Sequence, residues 1–123
     1  MKSFLGSLSY AINGIRLLFY TQKNARYHLM MAFSVCGLGW FFRISVLEWI
    51  IVCACIGAVI FAESVNTTIE YLVNFISPDY HIKAGQIKDL AAGSVLILSI
   101  TTGVIGLIIF IPKVMKFLHV NIN

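Results

Sequence analysis

At 123 residues, with 59 % of them hydrophobic, 11 % charged and nine Lys and Arg against five acids, the chain is short, apolar and basic. A soluble domain carries about 25 % charged residues, so this composition excludes an ordinary water-soluble fold and makes lipid the solvent for most of the surface. Length favours one domain, and a net charge of +4 suits anionic headgroups. Nucleic acid is a poor partner, because no basic stripe interleaved with aromatics is present.

Ser3 to Phe19 reads as an amphipathic helix, with Phe4, Leu8, Ala11, Ile12, Ile15 and Phe19 on one apolar stripe. Such a helix lies in the membrane interface rather than across it. The N-terminus has no short apolar run ending in a small-residue cleavage site, so no removable signal peptide is expected. After the polar segment Thr21 to His28, Leu29 to Phe42 is the first spanning candidate, closed by Arg43. It is short for a span, so it is expected to borrow the turn from Ala25 to His28, with Arg26 snorkelling outward.

Ser45 to Ile76 reads as one long helix, apolar in its first half and polar on one face in its second. Ser77-Pro78-Asp79-Tyr80 breaks it, since proline disfavours helical geometry in the residue before it. A polar connection then runs to Lys88 and leads into the next helix. Ala91 to Ile111 is an uncharged run of 21 residues, long enough to span unaided, and Pro112, Lys113 and Lys116 are expected to close it. The expected fold is therefore all-α and membrane-embedded: a surface helix over about 3–20 and spans over about 26–42, 47–70 and 91–111, in one domain over 1–123.

Charge sets the orientation. Lys2, Arg16, Lys23 and Arg26 precede the first span, and Lys83 and Lys88 lie between the second and third. By the positive-inside rule these ends are cytoplasmic. Arg43, Lys113 and Lys116 then lie outside, six cations against three. Cys36, Cys53 and Cys55 sit inside apolar runs, and Cys53-Ala-Cys55 lacks the CxxC spacing of zinc or redox sites. Packed or lipid-facing thiols are expected. Gly37-Leu-Gly39 and Gly103-Val-Ile-Gly106 read as places of close helix packing.

The chemistry concentrates between Glu63 and Asp89. Glu63, Asn66 and Glu70 fall at i, i+3 and i+7 and share one helical face. The fourteen residues from Trp49 to Ala62 carry no charge. They span about 21 Å at roughly 1.5 Å per residue, short of the about 30 Å of a bilayer core. Glu63 thus falls at or just inside the membrane edge, where a carboxylate is expensive and usually functional. The deeper, desolvated acid suits a general base, and the shallower Glu70 suits a hard cation such as Mg²⁺. Lys88 can supply a point charge to a phosphate, and Asp89 can ligate Mg²⁺ or position a donor.

Each has a plainer alternative. Glu63 and Asn66 could serve only as interhelical hydrogen-bonding groups, Glu70 could be a solvated face, and Lys88-Asp89 an ordinary surface pair. There is no P-loop, no protein-kinase motif set and no HExxH or paired-His metal site.

Together the motifs Glu63-x-x-Asn66-x-x-x-Glu70, Asp79-Tyr80-His81 and Gly85-x-x-Lys88-Asp89-x-Ala91-Ala92-Gly93 strongly resemble the small prokaryotic diacylglycerol kinases and the related undecaprenol kinases. Asn24-x-Arg26-x-His28 looks like the N-terminal motif of the shorter members. The resemblance covers about Phe4 to Ile111. It implies a homotrimer of three-span subunits whose active sites are shared between neighbours at the cytoplasmic face of a bacterial inner membrane.

By the same resemblance Glu63 looks like the base that takes the proton from a lipid hydroxyl, and Glu70 like a ligand of the Mg²⁺ held by ATP. Asn66 supports them. Lys88 and Asp89 contact the nucleotide, and Asp79, Tyr80, His81 and Gly85 match the nucleotide-binding connection. One departure stands out. Many members carry a glutamate, a second metal-coordinating carboxylate, where this chain has Gln22, whose amide oxygen can ligate Mg²⁺ only without a charge.

The expected function is transfer of the ATP γ-phosphoryl group to a membrane lipid alcohol. The expected acceptor is diacylglycerol, giving phosphatidic acid, as the family name suggests; undecaprenol, giving undecaprenyl phosphate, is the alternative, to which the shorter N-terminal motif points. A small transporter or channel subunit is the non-enzymatic rival, its intramembrane acids serving as cation sites. Against it, the third span carries no ionisable residue to continue a pathway. A structural subunit with a decayed site is the third reading, kept open by Gln22.

Overall fold

The computed structural model describes residues 3–122. Lys2, one of the cations counted above, lies outside them. Four helices follow one another: α1 (Phe4–Thr21), α2 (Lys23–Phe41), α3 (Val46–Ile76) and α4 (Ile82–Ile122). Packing follows chain order, α3 most extensively on α4, then α2 on α3 and α1 on α2.

The helix ends explain the order. Ser3 caps α1 by accepting from the Gly6 amide at 3.3 Å. Gln22 is at once the last cap of α1 and the first cap of α2, in extended conformation, so one residue makes the corner. Arg26 does not snorkel outward. Its Nη1 instead donates to the Phe19 and Tyr20 carbonyls at 3.1 and 2.9 Å, because the last carbonyls of α1 lack helical partners and attract a cation.

At the far end of α2 the chain turns through Arg43, which holds φ at 50°. The Arg43 and Ile44 amides donate back to Trp40 and Gly39 at 3.1 Å each, the Schellman pattern with arginine in the position usually taken by glycine. A Cβ on Gly39 would lie 2.9 Å from the Trp49 ring and 3.0 Å from Ile44 Cδ1. Glycine there lets Ile44 and α3 close over the helix. Ser45 and Glu48 then form a capping box on α3.

Gly37, Gly103 and Gly106 behave differently from the close-packing expectation. Nothing lies within 4 Å of a Cβ built on any of them, and the last two line an open space between helices. Nor does Pro112 end the last helix, which continues to Ile122. Proline removes one helical hydrogen bond, yet contacts beyond it hold the continuation. Lys113 Nζ lies 2.9 Å from Glu48 Oε1, and the Phe117 ring stacks edge-on against Phe41 and Phe42, centroids 5.5 and 6.2 Å apart.

Two helices, Val46–Ile76 and Ile82–His119, are long and apolar enough to cross a bilayer. Only 17 % and 11 % of their most apolar stretches are buried within the chain, whereas a soluble core helix would be mostly enclosed. The buried apolar cluster is small, centred on Ile44, Val52 and Ile109, while Trp40, Phe61, Ile97 and Ile108 stay largely exposed. Such a surface needs lipid or further protein against it. Cys36, Cys53 and Cys55 are free thiols, and Cys53 lies on this outward surface.

Candidate active site

The polar face of α3 is where burial and charge coincide. Glu63, Asn66 and Thr67 are the buried polar residues among those described, Glu63 at 3 % exposure. A carboxylate so withdrawn needs compensating partners. Across the interface, His28 of α2 brings Nε2 to 4.0 Å from Glu63 Oε2. One turn further, Asn66 Nδ2 donates to Glu70 Oε1 at 3.3 Å. The helical spacing seen in the sequence therefore becomes a row of oxygen and nitrogen atoms running from the buried Glu63 to the half-buried Glu70.

Two atoms of this row have no protein partner: Asn66 Oδ1 and Thr67 Oγ1 are buried and unbonded among the described residues. Orphaned buried oxygens are costly, and they cluster where a ligand could use them. Glu70 and Asn66 Oδ1 offer hard oxygen donors, which suit Mg²⁺. No group of three or more His, Cys, Asp and Glu gathers among the described residues.

The same face continues beyond Glu70. Asn74 lies four residues on, and its Oδ1 accepts from Lys88 Nζ at 3.0 Å. Lys88, with Asp89, is already helical, because α4 begins at Ile82. The His81 ring accepts from the Lys83 amide through Nδ1 at 3.1 Å, so His81 caps the start of α4. Ser77 Oγ donates to the Asp79 carbonyl at 3.3 Å, which holds the turn after α3. The Gly85 amide donates to the His81 carbonyl at 3.0 Å.

Gln22 is connected to α3 through one intermediary. Its Nε2 donates to Thr21 Oγ1 at 3.3 Å, and the Tyr71 hydroxyl donates to the same oxygen at 3.0 Å. Tyr71 is the neighbour of Glu70 in sequence. The α1–α2 corner is thus fastened beside the lower end of the carboxylate row.

The structure brings together Glu63 with His28, Asn66 with Glu70, and Lys88 with Asn74. It does not join the nucleotide-side residues to them: among the described residues Asp79, Tyr80 and Asp89 are exposed and make no side-chain bond to either carboxylate. Sequence reasoning left Thr67 and Asn74 out, although both lie on the Glu63 stripe, at i+4 and i+11. It gave no role to His28, whose pairing with a residue 35 positions away depends on how α2 and α3 are aligned.

Comparison with known proteins identifies the family of the chain. The prokaryotic diacylglycerol kinase family matches residues 9–110, and the chain belongs to that family. It is a lipid kinase, a class that transfers phosphoryl groups from ATP, and the four-helix, lipid-facing fold is that of a bacterial membrane protein. The undecaprenol kinase of Bacillus subtilis (strain 168) is 34 % identical over 113 residues, 92 % of each chain. The diacylglycerol kinase of Synechocystis sp. (strain ATCC 27184 / PCC 6803 / Kazusa) is 26 % identical over 117 residues, 94 % of this chain and 67 % of that one.

Proposed function

We propose that the chain phosphorylates the hydroxyl of undecaprenol at the cytoplasmic face of the bacterial inner membrane, using Mg²⁺ and ATP. The observation that carries the chemistry is the buried carboxylate of Glu63 beside the oxygen-donor pair Asn66 and Glu70. Undecaprenol is favoured over the family's eponymous lipid by the Bacillus subtilis relative, which matches 92 % of both chains. Diacylglycerol is the second reading, favoured by the family description and the Synechocystis relative.

In this reading Glu63 takes the proton of the acceptor hydroxyl while its oxygen bonds to the γ-phosphorus and the bond to the β,γ-bridging oxygen breaks, releasing ADP. Glu70 and Asn66 would hold Mg²⁺, with Gln22 a candidate neutral ligand, and the ion supplies charge neutralisation on the phosphates. Lys88, steadied by Asn74, faces the phosphates as a point charge. Asp79, Tyr80, His81, Gly85 and Asp89 bind the nucleotide. Phosphoryl transfer asks mainly for positioning and charge neutralisation, which this set provides.

The assembly is a homotrimer of three-span subunits, with α2 as the span that completes each subunit. Two features support it: the large exposed apolar faces of α3 and α4, and the separation of Asp79 and Tyr80 from the carboxylates within one chain. Sites shared between neighbours would bring these sets together. Orientation rests on charge, with Arg16, Lys23, Arg26, Lys83 and Lys88 at the Glu70 end. Lys113, at the opposite end, is paired with Glu48 and counts less against that orientation than an unpaired cation would.

The test is transfer of labelled γ-phosphate from ATP by the full chain in bilayers, with undecaprenol and diacylglycerol supplied separately. Labelled undecaprenyl phosphate is the expected product. Labelled phosphatidic acid alone would establish the second reading, and label in neither lipid would reject both.

A further inference from the structure

We propose that His28 is the second residue to touch the acceptor hydroxyl, set opposite Glu63 across the α2–α3 interface; this rests on the lipid-kinase reading above. The separation of His28 Nε2 from Glu63 Oε2 is 4.0 Å. That is too long for a hydrogen bond, yet one oxygen atom about 2.8 Å from each would bridge them with good contacts on both sides. Among the described residues, no hydrogen bond to Glu63 occupies its carboxylate oxygens, and the His28 imidazole approaches it from another helix. A purely structural pair would gain by closing to contact. This one stands at a separation that a hydroxyl oxygen beside the pair can bridge.

The surroundings select the kind of hydroxyl. His28 lies on the wall of a cavity of about 410 Å³ between α2, α3 and α4. Val35, Val59, Ile105 and Phe110 line it, and Gly103 and Gly106 leave it open. Apart from His28, only the uncharged Ser99 and Thr102 bring polar side chains to this wall. His28, the partner of Glu63, thus borders an apolar space, which suits an alcohol whose remainder is hydrocarbon.

The roles divide without ambiguity of proton. The imidazole, with hydrogen on Nε2, donates to one lone pair of the acceptor oxygen. The hydroxyl proton points to Glu63 Oε2, which receives it as the oxygen bonds to the γ-phosphorus. The bond from that phosphorus to the β,γ-bridging oxygen breaks, and ADP carries away the electron pair. His28 keeps its proton throughout. It holds the hydroxyl oxygen in one place, so that Glu63 meets a hydrogen rather than a lone pair.

The experiment compares wild type, His28→Leu and His28→Gln as full chains in bilayers, varying the alcohol at saturating Mg·ATP and then ATP at saturating alcohol. For His28→Leu, kcat/KM for the alcohol should fall on the order of tenfold to a hundredfold, the loss expected for one hydrogen bond in a buried site. KM for ATP should stay within about twofold, which also reports a folded site. His28→Gln, which keeps an N–H near the same position, should recover part of the loss. The inference is overturned if His28→Leu leaves kcat/KM for the alcohol unchanged. It is equally overturned if Leu and Gln variants lose alcohol and ATP parameters alike, the pattern of a general packing role. Wild type that labels neither alcohol would instead reject the lipid-kinase reading, and this inference with it.

Discussion

The Lys88 ammonium of α4 donates to the Asn74 amide oxygen of α3 at 3.0 Å, fastening the start of α4 to the stripe that carries Glu63, Asn66 and Glu70. A lysine on a flexible stem loses rotamer freedom when it is held for a ligand. Asn74 takes that loss in advance, leaving the two remaining ammonium hydrogens for phosphate. Asn74→Leu keeps the γ-branched shape, at a position exposed enough to take the added bulk, and removes the acceptor. We expect KM for ATP to rise roughly threefold to tenfold, as for a lost charge-assisted hydrogen bond, with a smaller change in KM for the alcohol. An unchanged KM for ATP would reduce the contact to a clasp between helices.

Glu63→Gln should abolish turnover. The substitution keeps size and shape in a residue that is 3 % exposed, and removes the group able to accept a proton, which typically contributes about 10²–10⁴-fold. KM for ATP should change little if Glu63 serves the acceptor, as proposed. Steady-state rates at saturating Mg·ATP and alcohol decide it: near-normal phosphorylation would sink the assignment of Glu63 as base.

Glu70→Gln should raise the Mg²⁺ concentration needed for half-maximal activity, because a charged oxygen ligand becomes a neutral one. The Asn66 contact, 3.3 Å in the native chain, can be remade with an amide, so the fold should persist. Titration of the rate with Mg²⁺ at fixed ATP reads the shift directly. A midpoint that does not move would return Glu70 to the solvated face of α3.

Periodicity made much of this molecule readable in advance. The break at Ser77–Tyr80, the long α3 and the shared face of Glu63, Asn66 and Glu70 all follow from local spacing and one proline, and the helices bear them out. Local rules fail where distant contacts decide. Pro112 should have closed α4, but Lys113 on Glu48 and Phe117 on Phe41 and Phe42 sustain the helix past it. Arg26 should have reached toward water, yet the unpaired carbonyls of α1 lie closer. Gly103 and Gly106 looked like packing glycines, and whether a glycine meets a neighbour or a void depends on the register of a different helix. His28 and Glu63 meet for the same non-local reason.

Gln22 carries the sharpest remaining prediction, because it stands where many relatives of the resembled family carry glutamate. The residue sits at the α1–α2 corner and is joined through Thr21 to Tyr71, next to Glu70. If it faces the Mg²⁺ held by ATP, its amide oxygen is a neutral ligand, and Gln22→Glu should lower the Mg²⁺ requirement by adding a charge beside Glu70. Gln22→Ala, which deletes the ligand, should shift the same midpoint the other way. The corner itself should survive both changes, since Tyr71 and Leu17 still hold the Thr21 hydroxyl at 3.0 and 2.8 Å. Activity titrated against Mg²⁺ at several ATP concentrations is the measurement. Opposite shifts place Gln22 at the metal, whereas two unmoved midpoints make it a polar turn residue and leave Mg²⁺ to Glu70, Asn66, the phosphates and water.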